Sequence, residues 1–429
     1  CVDILYNWRN TIVNTRAYGT DAETVIKYTN AYLDGLTAEN GENMEDGVIQ
    51  CIKHFPGDGT EESDQHLVLG VNELSPEEWR ASFGKVYQNH IDRGVEMIMA
   101  GHIAVPALQK ELNSALEDKD IMPATLAEEL IQDALKTELG FNGLVITDAT
   151  HMLGMTSAMR REDYVPKSIA AGCDMFLFFN NIEEDFGFML KGYQNGVITE
   201  ERLTDALRRI LGLKAKLHLP EKQANGTLLR TREDLNVIGC EEHLQWRAEA
   251  ADKGISLIKD TQNNLPINPV DHKRIRLYML EGEKGGITDN GSKAQQLFVD
   301  ELTKRGYEVT VNERGSRVKG ATLKYRDEVD FALEVADIAG YGAQNNYRIQ
   351  WSTAMANEVP WFVWEVPHAF VSLNFTTHLH DATMVKTFVN AYHNNEETIK
   401  QVIDKLEGKS EFKGGHNDLV WTDKWQAKL

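Results

Sequence analysis

Cysteine and proline are scarce in this chain. Four cysteines and ten prolines stand among 429 residues. Cys1, Cys51, Cys173 and Cys240 lie far apart, with no C-x-x-C, so neither a disulfide framework nor a zinc ribbon is suggested. Cys51 and Cys173 sit in apolar runs, as buried thiols do, which favours a reducing compartment. A cytoplasmic location is the expectation, with secretion left open. Basic charge is also short: 45 Lys and Arg against 66 Asp and Glu give a formal net charge of −21. No basic excess exists to release counterions, which argues against nucleic acid or an anionic membrane as partner. No run of 18 apolar residues occurs, so no membrane-spanning helix is predicted. The first residues, CVDILYNWRN, lack the basic start and long apolar stretch of a signal peptide. They also lack an initiator Met, and the expectation is that a start was lost by processing or truncation.

What remains is the composition of an ordinary globular protein, 42% hydrophobic and 26% charged. A chain of 429 residues exceeds what one core usually holds, so two domains are expected. The first half repeats a rhythm of apolar run, polar loop and helical pattern. Strands are predicted at Cys1–Leu5, Val48–Ile52, Val95–Ala100, Leu144–Thr147 and Met175–Phe179, each near-continuously apolar as doubly buried strands are. Helices are predicted at about 21–36 and 199–214, after a capping box at Ser75-Pro76-Glu77-Glu78, and from Thr125 with Glu128 three residues on. Alternating strand and helix implies a parallel sheet with helical crossovers. Five such units fall short of a closed (β/α)8 barrel, so either the sheet is open or the first units lie upstream of Cys1.

Residues 216–240 lack sustained periodicity and read as a linker between a domain at 1–215 and another at 241–429. In the second half a helix runs to Lys253. Strands are predicted at Ile255–Ile258, Ile275–Leu280, Tyr307–Val311, Trp361–Trp364 and Ala369–Leu373, with helices near 293–305 and 395–407. No polar cluster comparable to that of the first half is expected at these strand ends.

In the first half, polar residues gather where strands end, which is where parallel α/β folds place their sites. The stretch KHFPGDGTEESDQH, Lys53 to His66, closes a strand with Lys53 and His54. Pro56, Gly57 and Gly59 then force an irregular loop that carries Asp64-Gln65-His66. Asp and His two apart can meet if the loop curls, and the carboxylate then tunes a proton-transferring imidazole. A polar surface loop is the plain alternative. Asp148 ends the strand LVIT and can be a nucleophile, a base or merely a helix cap. Arg16, in NTRAYGTD, can hold ligand hydroxyls or sit in a surface turn. His102 ends another strand and is either a ligand-binding residue or a satisfied interior histidine. His54, Asp58, His66, His102 and Asp148 also form a set of metal-ligand types on one rim, but no H-x-H on one strand accompanies them.

In this order, NTRAYG, KHFPGDGTEESDQH and FNGLVITDATHM resemble glycoside hydrolase family three, and the Asp-x-His element resembles its β-N-acetylglucosaminidase branch. MAGHIAVPAL, ADKGISLIKDTQNNLPI and TFVNAYHNNEETIKQVIDKLEGKSEFKG extend the resemblance over nearly the whole chain. It implies an α/β architecture: a (β/α)8 TIM-type barrel, here with its N-terminal units apparently missing, followed by an αβα sandwich. It implies Asp148 as nucleophile, His66 as general acid/base and Asp64 as its partner. Arg16, Lys53 and His54 match sugar-holding residues; His102 and Met152 complete the expected substrate-binding set. The loop has Asp58 and Gln65 where the family commonly has His and Ser, and TDATHM departs from the commoner TDALNM. The implied activity is retaining exo-hydrolysis of terminal β-N-acetylglucosamine through a glycosyl-Asp intermediate, on an oligosaccharide or muropeptide, as in peptidoglycan recycling. A neutral imidazole paired to Asp64 is expected to supply the proton. No cofactor and no metal is required. An exo-β-glucosidase, a phosphorylase of the same family, a metal-dependent barrel hydrolase and a non-catalytic sugar-binding barrel stand as alternatives.

Overall fold

The computed structural model describes residues 1–37, 47–282, 292–338, 347–417 and 424–429. The chain divides into two compact units, Cys1–Arg230 and Thr231–Leu429. The stretch 216–240 around that division holds a short helix, Leu219–Ala224, and a 3-10 turn, Glu233–Val237.

The first unit is built on short parallel strands: β1 (Cys51–Phe55), β2 (Gly70–Val71), β3 (Met97–Ala100), β4 (Ile103–Ala104) and β5 (Leu144–Thr147). Sheet order is β1-β3-β5, with β2 and β4 paired apart from it. Its core gathers Ile52, Phe55, Ile98, Ala100 and Val145 from the strands with Trp79, Phe83, Leu130 and Leu135 from the helices. Alternate strand residues face this core, and β-branched and aromatic side chains fill it. Among the described residues, no helix is long and apolar enough to cross a membrane.

Several sequence expectations shift here. Cys1–Leu5 is extended but is no strand, making isolated bonds such as Val2 N–H to the Lys53 carbonyl at 2.7 Å. The strand expected at Val48–Ile52 lies at Cys51–Phe55 and runs on through Lys53 and His54. Apolarity ends at Ile52, but His54 finds a buried partner and the ladder continues. Met175–Phe179 reduces to a single bridge between Met175 and Ile146. Thr125 does not start a helix, because its hydroxyl meets the His102 ring at 3.0 Å; the helical segment begins after Glu128. The capping box at Ser75 and Glu78 is present as expected, and Thr199 caps the helix Glu200–Lys216.

The second unit holds β6 (Ser256–Asp260), β7 (Arg274–Glu281), β8 (Glu308–Val311), β9 (Phe331–Asp337), β10 (His368–Ser372) and β11 (Thr387–Asn390). They form one sheet, β6-β11-β10-β9-β7-β8, parallel except for β6 against β11. Helices Ala294–Lys304 and Glu396–Leu406 bury Phe298, Leu302, Val402 and Ile403 against one face. The other face is covered by Tyr325, Trp361, Phe362 and Val366. Trp361–Trp364 is therefore a turn and not a strand: Trp361 and Phe362 lie on the sheet, Phe362 on Tyr278 at 4.8 Å, instead of extending it. A polar cluster does stand at these strand ends, contrary to expectation. Asp337, closing β9, accepts from Asn374 at 2.6 Å, from Asn394 at 3.1 Å and from the Ser292 hydroxyl.

Candidate active site

The loop after β1 is shaped by glycine. At Gly59 φ is +110°, and a Cβ there would lie 2.2 Å from the Ile4 carbonyl oxygen, so only glycine fits. This close approach ties the loop to the N-terminal segment, and the Gly59 carbonyl accepts from Tyr6 and Asn7 N–H at 3.0 and 2.8 Å. Asp58 anchors the same loop from inside. Its Oδ1 accepts from Asn10 Nδ2 at 3.1 Å and Gly59 N–H at 2.6 Å. Burial, and next the charge of Asp3, push the Asp58 carboxyl up to about 7.

The loop then curls as the D-x-H spacing requires. Asp64 is buried, and its Oδ1 receives His66 N–H at 2.9 Å and His66 Nδ1 at 2.6 Å. The His66 side chain remains 38% exposed. The bond to Asp64 raises the affinity of His66 for its proton; burial opposes this, and Asp148 adds to it. With Nδ1 committed to Asp64, Nε2 is the ring nitrogen left free for proton transfer, and a protonated His66 with an ionised Asp64 would make a pair that is neutral as a whole.

Asp148 follows β5 directly, fixed by its N–H to the Ala100 carbonyl at 2.8 Å. Its Oδ1 accepts from Ala149 N–H at 2.7 Å. Burial pushes its carboxyl up, but His54, His102, that N–H and Lys53 together hold it below the ordinary Asp range. It is thus ionised, as a nucleophile must be. The His66 loop is fastened to the Asp148 loop: Leu153 N–H donates to the His66 carbonyl and Gly154 N–H to the Gln65 carbonyl, both at 3.1 Å.

His54 faces Asp148, Nε2 to Oδ2 at 3.8 Å, and its Nδ1 meets Asp3 Oδ2 at 2.8 Å. Asp3 was missed in the sequence because a single Asp in a short apolar run carries no signal. The structure buries it fully, with His54 N–H and Asp58 N–H both on its Oδ1 at 3.1 and 3.0 Å. Burial raises the Asp3 carboxyl, but His54 and these bonds outweigh it and keep Asp3 ionised.

Lys53 and Arg16 are half-buried. Arg16 donates through Nε to the Ile12 carbonyl at 2.7 Å, and its charge reaches both Asp58 and His66. His102 lies behind the site. It is fully buried, with Nε2 on the Ala149 carbonyl at 2.9 Å and Nδ1 on Thr125 Oγ1 at 3.0 Å. A carbonyl can only accept, so Nε2 carries the hydrogen, and burial lowers this imidazole's proton affinity. The His102 backbone N–H donates to Gln65 Oε1 at 2.8 Å, which gives the buried Gln65 a partner. Met152 is buried and opens the short helix Leu153–Thr156. The metal-like set foreseen on the rim is not what gathers. Among the described residues one such group exists, Cys1, Asp3 and His54, with ligand atoms within 4.8 Å of one another. Asp3 and His54 are already committed to each other.

The arrangement is an ionised carboxylate beside a carboxylate-paired imidazole, under half-buried cations. That is the equipment of acid-assisted nucleophilic substitution. The comparisons with known proteins agree with it. The profile of the Glycosyl hydrolase family 3 N terminal domain matches residues 1–213. A β-N-acetylglucosaminidase/β-glucosidase of Cellulomonas fimi is 39% identical over 433 residues, covering 100% of this chain and 75% of that protein. A β-hexosaminidase A of Pseudoalteromonas piscicida is 26% identical, covering 60% of this chain and 43% of that one. Among solved structures, β-glucoside phosphorylase BglX superposes with a TM-score of 0.90 at 37% identity, over 100% of this chain and 75% of that one. A family 3 β-N-acetylglucosaminidase from Paenibacillus sp. gives 0.76 at 21% identity, over 96% of this chain and 74% of that one, a likeness of fold. The class is that of glycosidases. The chain belongs to glycoside hydrolase family 3.

Proposed function

We propose that the protein removes terminal β-linked N-acetylglucosamine by a retaining double displacement. Asp148 attacks the anomeric carbon while the His66 imidazolium protonates the leaving oxygen. Neutral His66 then takes a proton from the incoming water as the glycosyl–Asp148 ester opens. Arg16, Lys53 and His54 hold the sugar hydroxyls. The observation that carries this reading is the 2.6 Å bond between His66 and Asp64, on a loop fastened to the one bearing Asp148. The names of the Cellulomonas and Pseudoalteromonas relatives favour the N-acetyl sugar. In the same reading, β1, β3 and β5 are an arc of a (β/α)8 barrel.

The test uses the full-length open reading frame. Asp148→Ala should abolish turnover of 4-nitrophenyl β-N-acetylglucosaminide, and wild type should prefer it to the β-glucoside. Retained turnover in the variant would overturn the assignment of Asp148.

A second reading is favoured by the 37% identical β-glucoside phosphorylase: phosphate replaces water in the second step. Chemistry supports it, since an imidazole beside the ester repels an incoming dianion less than a second carboxylate would. Release of the sugar 1-phosphate in phosphate buffer distinguishes the two.

A further inference from the structure

The middle residue of Asp64-Gln65-His66 takes no part in the chemistry above, yet it is only 1% exposed. Its side chain turns inward and is held at both ends of the amide. Oε1 accepts from the His102 backbone N–H at 2.8 Å, and Nε2 donates to Asp58 Oδ2 at 3.4 Å. These partners fix which way the amide points, because a backbone N–H needs an acceptor and a carboxylate oxygen provides one. The Gln65 carbonyl accepts from Gly154 N–H at 3.1 Å. One residue thus joins the loop of His66 to the end of β3, to the first turn of the loop after β1, and to the loop that bears Asp148.

Each of these partners is anchored in turn. Asp58 holds Asn10 and Gly59 on Oδ1 and gives its own N–H to Asp3 Oδ1 at 3.0 Å. The His102 ring gives its Nε2–H to the Ala149 carbonyl, beside Asp148. The backbone also leaves room for the arrangement. A Cβ on Gly154 would lie 2.9 Å from the Gln65 carbonyl oxygen, and one on Gly101 would lie 3.2 Å from Gln65 Oε1. The 2.6 Å bond from His66 to Asp64, in contrast, lies within the loop. It sets the ring against its own segment and leaves the place of that segment relative to Asp148 to other contacts. Gln65 provides them.

We infer that Gln65 is a positioning residue for proton transfer: bridged to Asp58 and His102, it fixes the loop that carries His66 and so sets the reach of the imidazole toward the leaving oxygen. The inference rests on the reading of Asp148 and His66 given above. A proton donor that is slightly misplaced costs most where the leaving oxygen depends on the proton. An aglycone that departs as a stable anion is indifferent to it. Leaving-group dependence therefore separates a positioning role from a general loss of packing.

The experiment measures kcat/KM on the methyl and the 2,4-dinitrophenyl β-glycoside of one sugar, for the full-length protein and four variants. Gln65→Glu keeps the shape and the acceptor for His102 N–H but sets a carboxylate against Asp58. It should lower kcat/KM roughly 10- to 100-fold on the methyl glycoside and less than about threefold on the dinitrophenyl one. Gln65→Ser, which removes both arms, should show the same contrast; should it not fold, Gln65→Glu carries the comparison. Gln65→Glu with Asp58→Asn restores the bridge with donor and acceptor exchanged, and should recover the methyl glycoside to within about threefold of wild type. Equal losses on both substrates, no loss, or a double variant no better than Gln65→Glu would overturn the positioning role. His66→Ala is the control. Equal losses on both substrates in that variant would instead strike His66 as the acid, so the two failures are distinguishable.

Discussion

Asp3 Oδ2 lies 2.8 Å from His54 Nδ1, and His54 in turn sets Nε2 3.8 Å from Asp148 Oδ2. With Asp3 ionised, the imidazole hydrogen is fixed on Nδ1. Nε2 is left to face Asp148. A residue in the extended N-terminal segment thus fixes the orientation of a residue on β1, and through it the surroundings of Asp148.

Asp3→Asn keeps the shape and removes this control. Its amide would turn a donor toward Nδ1 and drive the hydrogen to the opposite nitrogen of His54. Loss of a hydrogen bond to a charged group is expected to lower kcat/KM about 10- to 100-fold. Steady-state kinetics and thermal melting check it together. An unchanged kcat/KM in a folded variant would show that the His54 tautomer is immaterial.

The pH profile carries a second prediction. On the proposed mechanism, activity needs Asp148 ionised and His66 protonated, so the acid limb should belong to Asp148, held below the ordinary Asp range, and the basic limb to His66, held above the ordinary His range. The bond to Asp64 is the main cause of the latter. Asp64→Asn removes it, so the basic limb of kcat/KM should move to lower pH while the acid limb stays in place. A profile that moves on both limbs, or on neither, would separate His66 from the proton transfer.

Much of this site was legible because its residues stand together in sequence. Lys53 and His54 end β1, Asp64 and His66 lie on the loop that follows it, and a D-x-H spacing announces a curl that the backbone makes there, with Leu67 N–H on the Asp64 carbonyl. Asp148 was legible from its place after an apolar strand. Asp3 was not, since its partner lies 51 residues away and only burial makes the pairing obligatory. The same limit hid β9. Its sequence FALEVAD is interrupted by Glu334, although all seven residues are buried. Trp361–Trp364 failed in the opposite direction, because an apolar run reads alike whether it extends a sheet or covers one.

Arg202 and Asp174 yield a prediction about the first unit's stability. The Asp174 side chain is fully buried, paired with Arg202, and its Oδ1 lies 3.7 Å from Lys136 Nζ. Burial raises its carboxyl above the ordinary range even among these cations. Arg202→Ala should cost about 3 kcal/mol, because a buried carboxylate loses its closest partner. Adding Asp174→Asn, which can still accept Val145 N–H, should recover part of that loss in denaturant unfolding. A double variant as unstable as the single one would place the cost in lost packing of the Arg202 stem instead.

Glu334 makes the last case, in the second unit. It stands on β9, almost wholly buried, and neither carboxyl oxygen has a hydrogen-bond partner among the described residues. Burial, then the charge of Glu358, raises its carboxyl well above the ordinary Glu range, with Arg314 opposing. A folded-state value above the unfolded one means stability fully present below about pH 4 and lost as pH rises through the folded value. Glu334→Gln keeps the volume and is always neutral. The variant and wild type should therefore melt at similar temperatures in acid, with the variant increasingly ahead toward neutral and alkaline pH, by about 2–4 °C per kcal/mol for a unit of this size. Titrating groups outside the reach of Glu334 are common to both proteins and cancel in the difference; Glu358, which feels its charge, does not. A gap in Tm that does not widen with pH would show that Glu334 ionises in the folded chain as it does in the unfolded one, with no upward shift.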